Sequence, residues 1–402
     1  MRIPTAAAYG STIEQLQRRQ RDLGDLQQHI AAGKRVQRAS DDPIAAARAE
    51  RALATESRST AGARAVEASR TAMTQTESAL GDAVDLLQQA REALVAGGNG
   101  VYTDAQRTVL SGQLRDLRAQ IFAIANRDDG AGGHLFGGQG SAAPPFVDAA
   151  GGVAFRGTRG ATVADGAGQL PTTMDGAAVF LTAPTGNGTF ETRSVASAGS
   201  AWIDPGRVVD PSVVTGATYT LRFAVAAGAS GNAATYAVLK DGAATAVTAA
   251  PYAAGQAIVV DGLSVTVEGA PKAGDTFELA PSTPTLGVFA VLDKAVADLA
   301  TPLKSRGQVA QATSNNLRDV DAVLGRLLAA RSQAGDALNR IASVGDRLGA
   351  ATLDAKTERA AAEDIDLVAA YSDFQNRQTG YDAALKSYAA VQRLSLFDYL
   401  KG

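Results

Sequence analysis

The chain has 402 residues, enough for two or three domains, with 38 lysines and arginines against 41 aspartates and glutamates and a formal net charge of −3. That balance excludes the basic footprint of a nucleic-acid binder, no apolar run reaches the roughly 18 residues of a membrane span, and the absence of cysteine excludes a disulfide framework and thiolate chemistry. Apolar residues make up 46% of the chain but aromatics only 5%, and alanine supplies much of the apolar total, so thin helical packing suits the composition better than a wide globular core.

The N-terminus, MRIPTAAAYGSTIEQL, lacks the apolar stretch of a cleaved secretory signal. From about 11 to 32 the chain reads as a helix, with Ile13, Leu16, Leu23, Leu26 and Ile30 in an apolar stripe at helical spacing. The segment 33–49, GKRVQRASDDPIAAARA, is a stop signal followed by a start signal. Gly33 takes the left-handed conformation that ends a helix. Lys34, Arg35 and Arg38 suit the negative end of its dipole. Ser40, Asp41 and Asp42 are N-cap residues, and Pro43 fits a first helical position because its missing N–H costs nothing there.

Helix formers fill 44–96, with Met73, Thr76, Leu80, Ala83, Leu87, Ala90 and Leu94 at alternating steps of three and four. A turn, GGNGVYTD at 97–104, ends in a further N-cap, and Leu110, Leu114, Leu117, Ile121 and Ile124 resume the alternation. Between about 140 and 285 the composition shifts to Gly, Ala, Thr and Val. YTLRFAV (219–225) and TYAVLK (235–240) read as strands, and AIVVDGLSVTVEG (257–269) as a hairpin turning at Asp261-Gly262. FLTAPTGNGTFETR (180–193) predicts another hairpin around Gly186-Asn187-Gly188. Helical periodicity returns with Leu317, Val320, Leu324, Leu327, Ala334, Leu338, Ile341 and Leu348, and again with Leu367, Tyr371, Phe374, Tyr381, Leu385 and Tyr388. A repeat of 3.5 sustained this long predicts coiled-coil-like packing. The expected fold is α+β: a long antiparallel, coiled-coil-like helical rod from the N- and C-terminal regions, with one inserted all-β domain. The chain goes out along the rod, builds a β knob and comes back.

Catalytic constellations are missing from the sequence. The two histidines, His29 and His134, are too few for a typical metal cluster. Asp128-Asp129 lacks the alternating oxygen ligands of a calcium loop, and the glycines of GGHLFGGQG (132–140) lack the lysine of a phosphate loop. No G-x-S-x-G elbow occurs. The expectation is no enzyme, no cofactor and no metal.

Several of these stretches carry a resemblance. GKRVQRASDDPIAAARA resembles the N-terminal signature of the flagellin superfamily, and its Ser-Asp-Asp-Pro form resembles the hook–filament junction branch, since flagellins generally follow the Asp pair with alanine. The segment from Ala96 to Gly138 is similar to the family's second helical hairpin, and 255–281 to a β segment of hook-associated proteins. The C-terminus at 371–400 closes as junction proteins do, with Ser395-Leu396-Phe397-Asp398-Tyr399-Leu400. No likeness extends over 145–215.

The resemblance implies a structural protein of the bacterial flagellum, exported unfolded and secreted. It would form a layer between hook-associated proteins and the filament and be required for motility. The implied partners are further copies of the chain, another hook-associated protein on the hook side, flagellin on the filament side and an export chaperone in the cytoplasm, with no nucleic acid and no membrane insertion. The implied domains are an inner-tube helix at 1–40, half of a helical rod at 41–140, the β domain at 141–285, the returning half of the rod at 286–355 and a second inner-tube helix at 356–402. A single seam of five apolar side chains does not repay the ordering of a helix this long, so both terminal segments are expected to be disordered until they assemble. The stripe residues named at 13–30 and 367–388, with Leu396 and Phe397, are the expected assembly interface. Filament flagellin is the nearer alternative, opposed by Pro43 and the Phe397-Asp398-Tyr399 ending. A secreted adhesin or hydrolase on a helical stalk is the alternative of a different class.

Overall fold

The computed structural model describes residues 5–164, 169–228 and 231–400, with side chains described over 10–164, 169–226 and 233–390. The helices are α1 (Thr5–Ala32), α2 (Pro43–Gly97), α3 (Asp104–Ala125), α4 (Gly176–Phe180), α5 (Val288–Ala300), α6 (Arg306–Glu363) and α7 (Leu367–Leu400). The strands are β1 (Phe146–Ala149), β2 (Gly152–Phe155), β3 (Val163–Ala164), β4 (Leu170–Pro171), β5 (Phe190–Ala196), β6 (Trp202–Ile203), β7 (Arg207–Val208), β8 (Tyr219–Gly228), β9 (Gly231–Lys240), β10 (Ala243–Ala244), β11 (Ala250–Pro251), β12 (Ala257–Val260), β13 (Leu263–Glu268) and β14 (Thr276–Pro281). The chain divides into two compact units, one of Met1–Arg64 with Val344–Gly402 and the other of Ala65–Ser343. The division falls within α2 and within α6.

In the unit Ala65–Ser343 the predicted stripes are the core. Met73, Thr76, Leu80, Ala83, Leu87, Ala90 and Leu94 of α2 are all buried, as are Leu114, Leu117, Ile121 and Ile124 of α3 and Val320, Leu327 and Ala334 of α6. α5 presents Val288, Phe289, Val291, Leu292 and Ala295 to the same cluster. Arg331 pairs with Glu77 and Arg91 with Asp321, ion pairs that fix α2 and α6 as antiparallel. α3 begins with a full capping box, Thr103 accepting from the Gln106 N–H while the Gln106 side chain accepts from Thr103.

The rest of this unit is β structure. One sheet runs β10-β9-β8-β14-β5, with β11 also on β9, and a second runs β12-β13-β6, with β7 also on β13. Their inward side chains, among them Tyr219, Leu221, Phe223, Ile258, Val265, Val267 and Phe277, share one core. The Asp261-Gly262 hairpin forms as predicted: Val260 faces Leu263, and both turn residues have positive φ (41° and 79°), the mirror-image turn that matches strand twist. α6 carries this β core on polar contacts. The Gln311 amide accepts from the Ile203 N–H at 2.8 Å and donates to its carbonyl at 3.0 Å, and the buried Arg318 donates to the Thr192 carbonyl at 3.1 Å while pairing with Asp319 at 2.8 Å.

Three expectations are corrected here. Residues 141–285 are not one β domain. Phe146, Val179, Phe180 and Ala183 belong to the helical core, where the Phe180 ring lies 5.0 Å from Phe136, 5.5 Å from Phe146 and 6.1 Å from Phe289. Alanine-rich helices leave space between them, and these rings fill it. Arg118 reinforces the join, reaching Asp148 of β1 at 2.5 Å and Asp293 of α5 at 3.1 Å with its guanidinium over the Phe122 and Phe289 rings. The separate β core begins only at Phe190.

The second correction concerns 180–193, which is a turn and not a hairpin. Its incoming arm is α4 and an isolated bridge from Ala183 to Leu286, because Phe180 is drawn into the helical core. Asn187 shapes the turn, accepting from the Thr189 and Phe190 N–H groups and donating to the Gly206 carbonyl. The third is the expected division at 355/356. α6 runs through it, since Ala355-Lys356 offers neither a cap nor a breaker, and ends at Glu363.

Candidate assembly interface

The unit of Met1–Arg64 and Val344–Gly402 contains every residue of the expected interface. α1 packs against α7, and Gly380 lies close enough to the Arg19 guanidinium that a Cβ there would stand 3.1 Å from it. Leu16, Leu23, Leu26 and Ile30 of α1 are half-buried, as are Phe374, Tyr381 and Tyr388 of α7, while Ala370 is buried. Ile13, Leu367, Tyr371 and Leu385 lie outside this seam and remain exposed, Tyr371 by 57% and Leu385 by 39%. Periodicity alone merges these two faces of α7, because steps of three and four on one helix describe adjacent stripes equally well. Leu396 and Phe397 fall where side chains lie outside the described residues.

The break after α1 runs from Gly33 to the cap of α2 at Asp42, and of the three expected N-cap residues Ser40, Asp41 and Asp42 the last alone accepts from first-turn amides of α2. Gly33 has φ +69°, its N–H donates to the Ile30 carbonyl at 3.2 Å, and the Lys34 N–H donates to the His29 carbonyl at 3.1 Å. This pair of bonds is the Schellman ending. Asp42 is the N-cap of α2: its Oδ1 accepts from the Ile44 and Ala45 N–H groups at 3.1 and 3.0 Å, with Pro43 at the first helical position. Asp41 folds the connecting loop, its Oδ2 accepting from the Arg38 N–H at 2.8 Å and the Gln37 N–H at 3.0 Å. Ser40 reaches only Asp41, at 3.4 Å. The Arg38 and Gln37 amides hold the Asp41 carboxyl below the ordinary carboxylate range, and the Ala45 amide with the Arg35 guanidinium does the same for Asp42.

A second break lies beside the first, and the sequence reading missed it. Between α6 and α7 the chain reads Glu363-Asp364-Ile365-Asp366, with Asp366 as the N-cap, its Oδ1 accepting from the Val368 and Ala369 N–H groups. No glycine or proline marks the spot. The available signal was a carboxylate followed by the helix former run LVAA. The two breaks are bonded to each other. Lys34 and Asp364 form an antiparallel bridge, and the Arg35 and Val36 N–H groups donate to the Glu363 carbonyl at 2.7 and 3.3 Å. The Ile365 N–H donates to the Gly33 carbonyl at 3.1 Å. Side chains complete the join. Lys34 Nζ lies 3.0 Å from Glu363, and Arg35 donates to both the Ala362 carbonyl and Asp42, each at 3.0 Å. Arg359 then links Glu363 (3.4 Å) to Glu56 of α2 (2.7 Å).

This is an arrangement of helix ends and ion pairs, with its charges matched and an open apolar stripe beside it. Among the described residues no group of three or more His, Asp and Glu side chains is placed to hold a metal ion, and no helix is long and apolar enough to cross a membrane.

The helical part of the chain is thus a long α2 entered through a capped break, with α7 closing against α1. Residues 3–141 match the family model of the bacterial flagellin N-terminal helical region. The particular proteins it resembles are flagellar hook-associated proteins 3. That of Salmonella typhimurium is 33% identical over 152 residues, 38% of this chain and 48% of the relative, so this match spans about half of the relative's length. That of Escherichia coli is 24% identical over 413 residues, covering both chains whole. The crystal structure of the flagellar junction protein FlgL from Legionella pneumophila is similar with a TM-score of 0.63 and 26% identity, over 69% of this chain and 93% of that one.

Proposed function

We propose that this chain is a structural protein of the bacterial flagellum that forms the layer joining hook-associated proteins to the flagellin filament. The observation that carries this reading is the whole-length match to a flagellar hook-associated protein 3, and the open apolar stripe on α1 and α7 agrees with it. Copies of the chain pack side by side through α1 and α7. Another hook-associated protein lies on the hook side, flagellin on the filament side, and a chaperone holds the chain before export. The protein acts outside the cell and mechanically, without catalysis. Along α1 and α7 the two-helix seam leaves apolar side chains in water, so these two helices gain their full order from neighbouring copies. The helical core of α2, α3, α5 and α6 serves as the wall of the layer, and the β structure from Phe190 to Pro281 faces outward.

The test is electron microscopy of cells lacking the gene, complemented by the parent chain or by a variant carrying Tyr371→Asp and Leu385→Asp. Both side chains are exposed within the single chain, so the variant keeps its own fold and loses only contacts to neighbours. The expected result is hooks without filaments, with the variant and free flagellin in the medium. Normal filaments in the deletion strain with lost surface attachment would favour an adhesin, and antibody labelling all along the filament would favour a flagellin.

A further inference from the structure

The chain reads Gly-Asn-Gly twice, at 98–100 and at 186–188, and in both places the asparagine and the glycine after it are exposed. An asparagine before glycine is open to attack on its own side chain, because no Cβ on the following residue shields its nitrogen. The attack needs a glycine N–H without another partner, a polarised side-chain carbonyl and an amide group able to leave. Both side-chain carbonyls are polarised by backbone donors: Asn99 Oδ1 accepts from the Val101 N–H at 3.1 Å, and Asn187 Oδ1 from the Thr189 and Phe190 N–H groups, each at 3.0 Å. The other two conditions separate the sites. At the second, the Gly188 N–H donates to the Thr185 carbonyl at 3.3 Å and the Asn187 amide donates to the Gly206 carbonyl at 3.2 Å, so nucleophile and leaving group are both held. At the first, neither the Gly100 N–H nor the Asn99 side-chain amide donates to an acceptor among the described residues. The carbonyl of the Asn99–Gly100 peptide also accepts from the Tyr102 N–H at 3.1 Å and the Arg107 guanidinium at 3.3 Å. These donors stabilise the negative charge that spreads onto that oxygen when Gly100 loses its proton.

We infer that Asn99 is a self-modification site of the folded chain, converting to aspartate and isoaspartate, and that the fold protects Asn187 from the same change. Hydroxide takes the Gly100 amide proton, and the nitrogen attacks Asn99 Cγ. The new N–Cγ bond closes a cyclic imide, the Cγ–Nδ2 bond breaks, and Nδ2 leaves as ammonia with a proton from water, which returns the hydroxide. Water then adds to either imide carbonyl and opens the ring, its proton going to the Gly100 nitrogen. Opening at the backbone carbonyl routes the main chain through Cβ and lengthens the turn between α2 and α3, while opening at the side-chain carbonyl keeps the main chain and leaves an aspartate. Either product adds one negative charge beside Arg107, in a turn whose Val101 is 86% exposed. The inference goes beyond the flagellar reading and does not depend on it. In a lasting assembly of the kind proposed above, subunits that are not replaced collect the change with age.

The shared Gly-Asn-Gly context makes the second site an internal control for the first. The full chain is held for weeks in mildly alkaline buffer, folded and, in parallel, unfolded in guanidinium chloride. Samples are digested at mildly acidic pH, which halts the reaction, and mass spectrometry with electron-transfer fragmentation measures asparagine, aspartate and isoaspartate at each position. Unfolded, the two sites are expected to convert at similar rates. Folded, Asn99 is expected to convert at least about ten-fold faster than Asn187. Gly100→Ala is expected to suppress conversion at Asn99 and to leave the thermal melt unchanged, because nothing lies within 4 Å of the place its Cβ would take. Equal rates at the two sites of the folded chain, faster conversion at Asn187, or an unchanged Asn99 rate in the Gly100→Ala variant overturns the inference. If Asn99 converts as expected while cells lacking the gene keep their filaments, the modification site stands and the flagellar reading falls.

Discussion

Excising part of the middle of the chain separates the two cores most sharply. Thr189 and Ser282 are joined by a hydrogen bond from the Ser282 N–H to the Thr189 carbonyl at 3.0 Å, so deleting 190–281 and connecting these ends leaves the path of the flanking chain intact. What the helical core loses is polar: three hydrogen bonds, one from Arg318 to Thr192 and two between Gln311 and Ile203, with the Arg318–Glu191 ion pair at 3.6 Å beside them. At about 1 kcal/mol per hydrogen bond this amounts to roughly 3 kcal/mol. With about 2–4 °C per kcal/mol for a domain of this size, the melting temperature falls by about 6–12 °C. Deleting 141–285 instead removes Phe146 and Phe180, each 1% exposed in the helical core. Loss of a buried phenylalanine costs about 3–5 kcal/mol, so the pair costs about 6–10 kcal/mol, comparable with the whole stability of a domain at about 5–15 kcal/mol. The assay is helical circular dichroism followed through a thermal melt. The shorter deletion should melt cooperatively, and the longer one should show no cooperative transition. Two deletions with the same melt would refute the assignment of 141–189 to the helical core.

Further outcomes follow from single sites. Arg318→Ala leaves Asp319, whose side chain is 5% exposed, with Lys294 as its one remaining ion partner, and should destabilise the helical unit by about 3–5 kcal/mol in denaturant titration. The Asp41 and Asp42 carboxyls sit below their ordinary value in the folded chain, so their contribution is complete above that value, near pH 4, and is lost as pH falls through their lowered folded values. Hydrogen exchange, corrected for intrinsic rates, should show the Gln37, Arg38, Ile44 and Ala45 amides equally protected at pH 8 and pH 5 and opened below pH 4.

Much of this molecule is written locally. The stripe from Met73 to Leu94 needs only a helix with apolar residues on one side. The Asp261-Gly262 hairpin needs only two residues that tolerate positive φ, and the stop at Gly33 with the start at Asp42-Pro43 needs only the chemistry of helix ends. Each is decided by neighbours within a few residues. The recruitment of Phe146 and Phe180 away from the β region was not legible, because it depends on how much space alanine-rich helices leave when they meet. The two faces of α7 were not legible either: Phe374 and Tyr371 share one period, and only the position of α1 separates a half-buried side chain from an exposed one. The joint between the helix breaks is the clearest case. Lys34 and Glu363 are 329 residues apart, and no pattern along the chain shows that the carbonyls at the end of α6 will find their donors at Arg35 and Val36. Caps and periods are short-range forces and can be read in order, whereas the pairing of unsatisfied backbone groups across the fold exists only once distant segments are brought together.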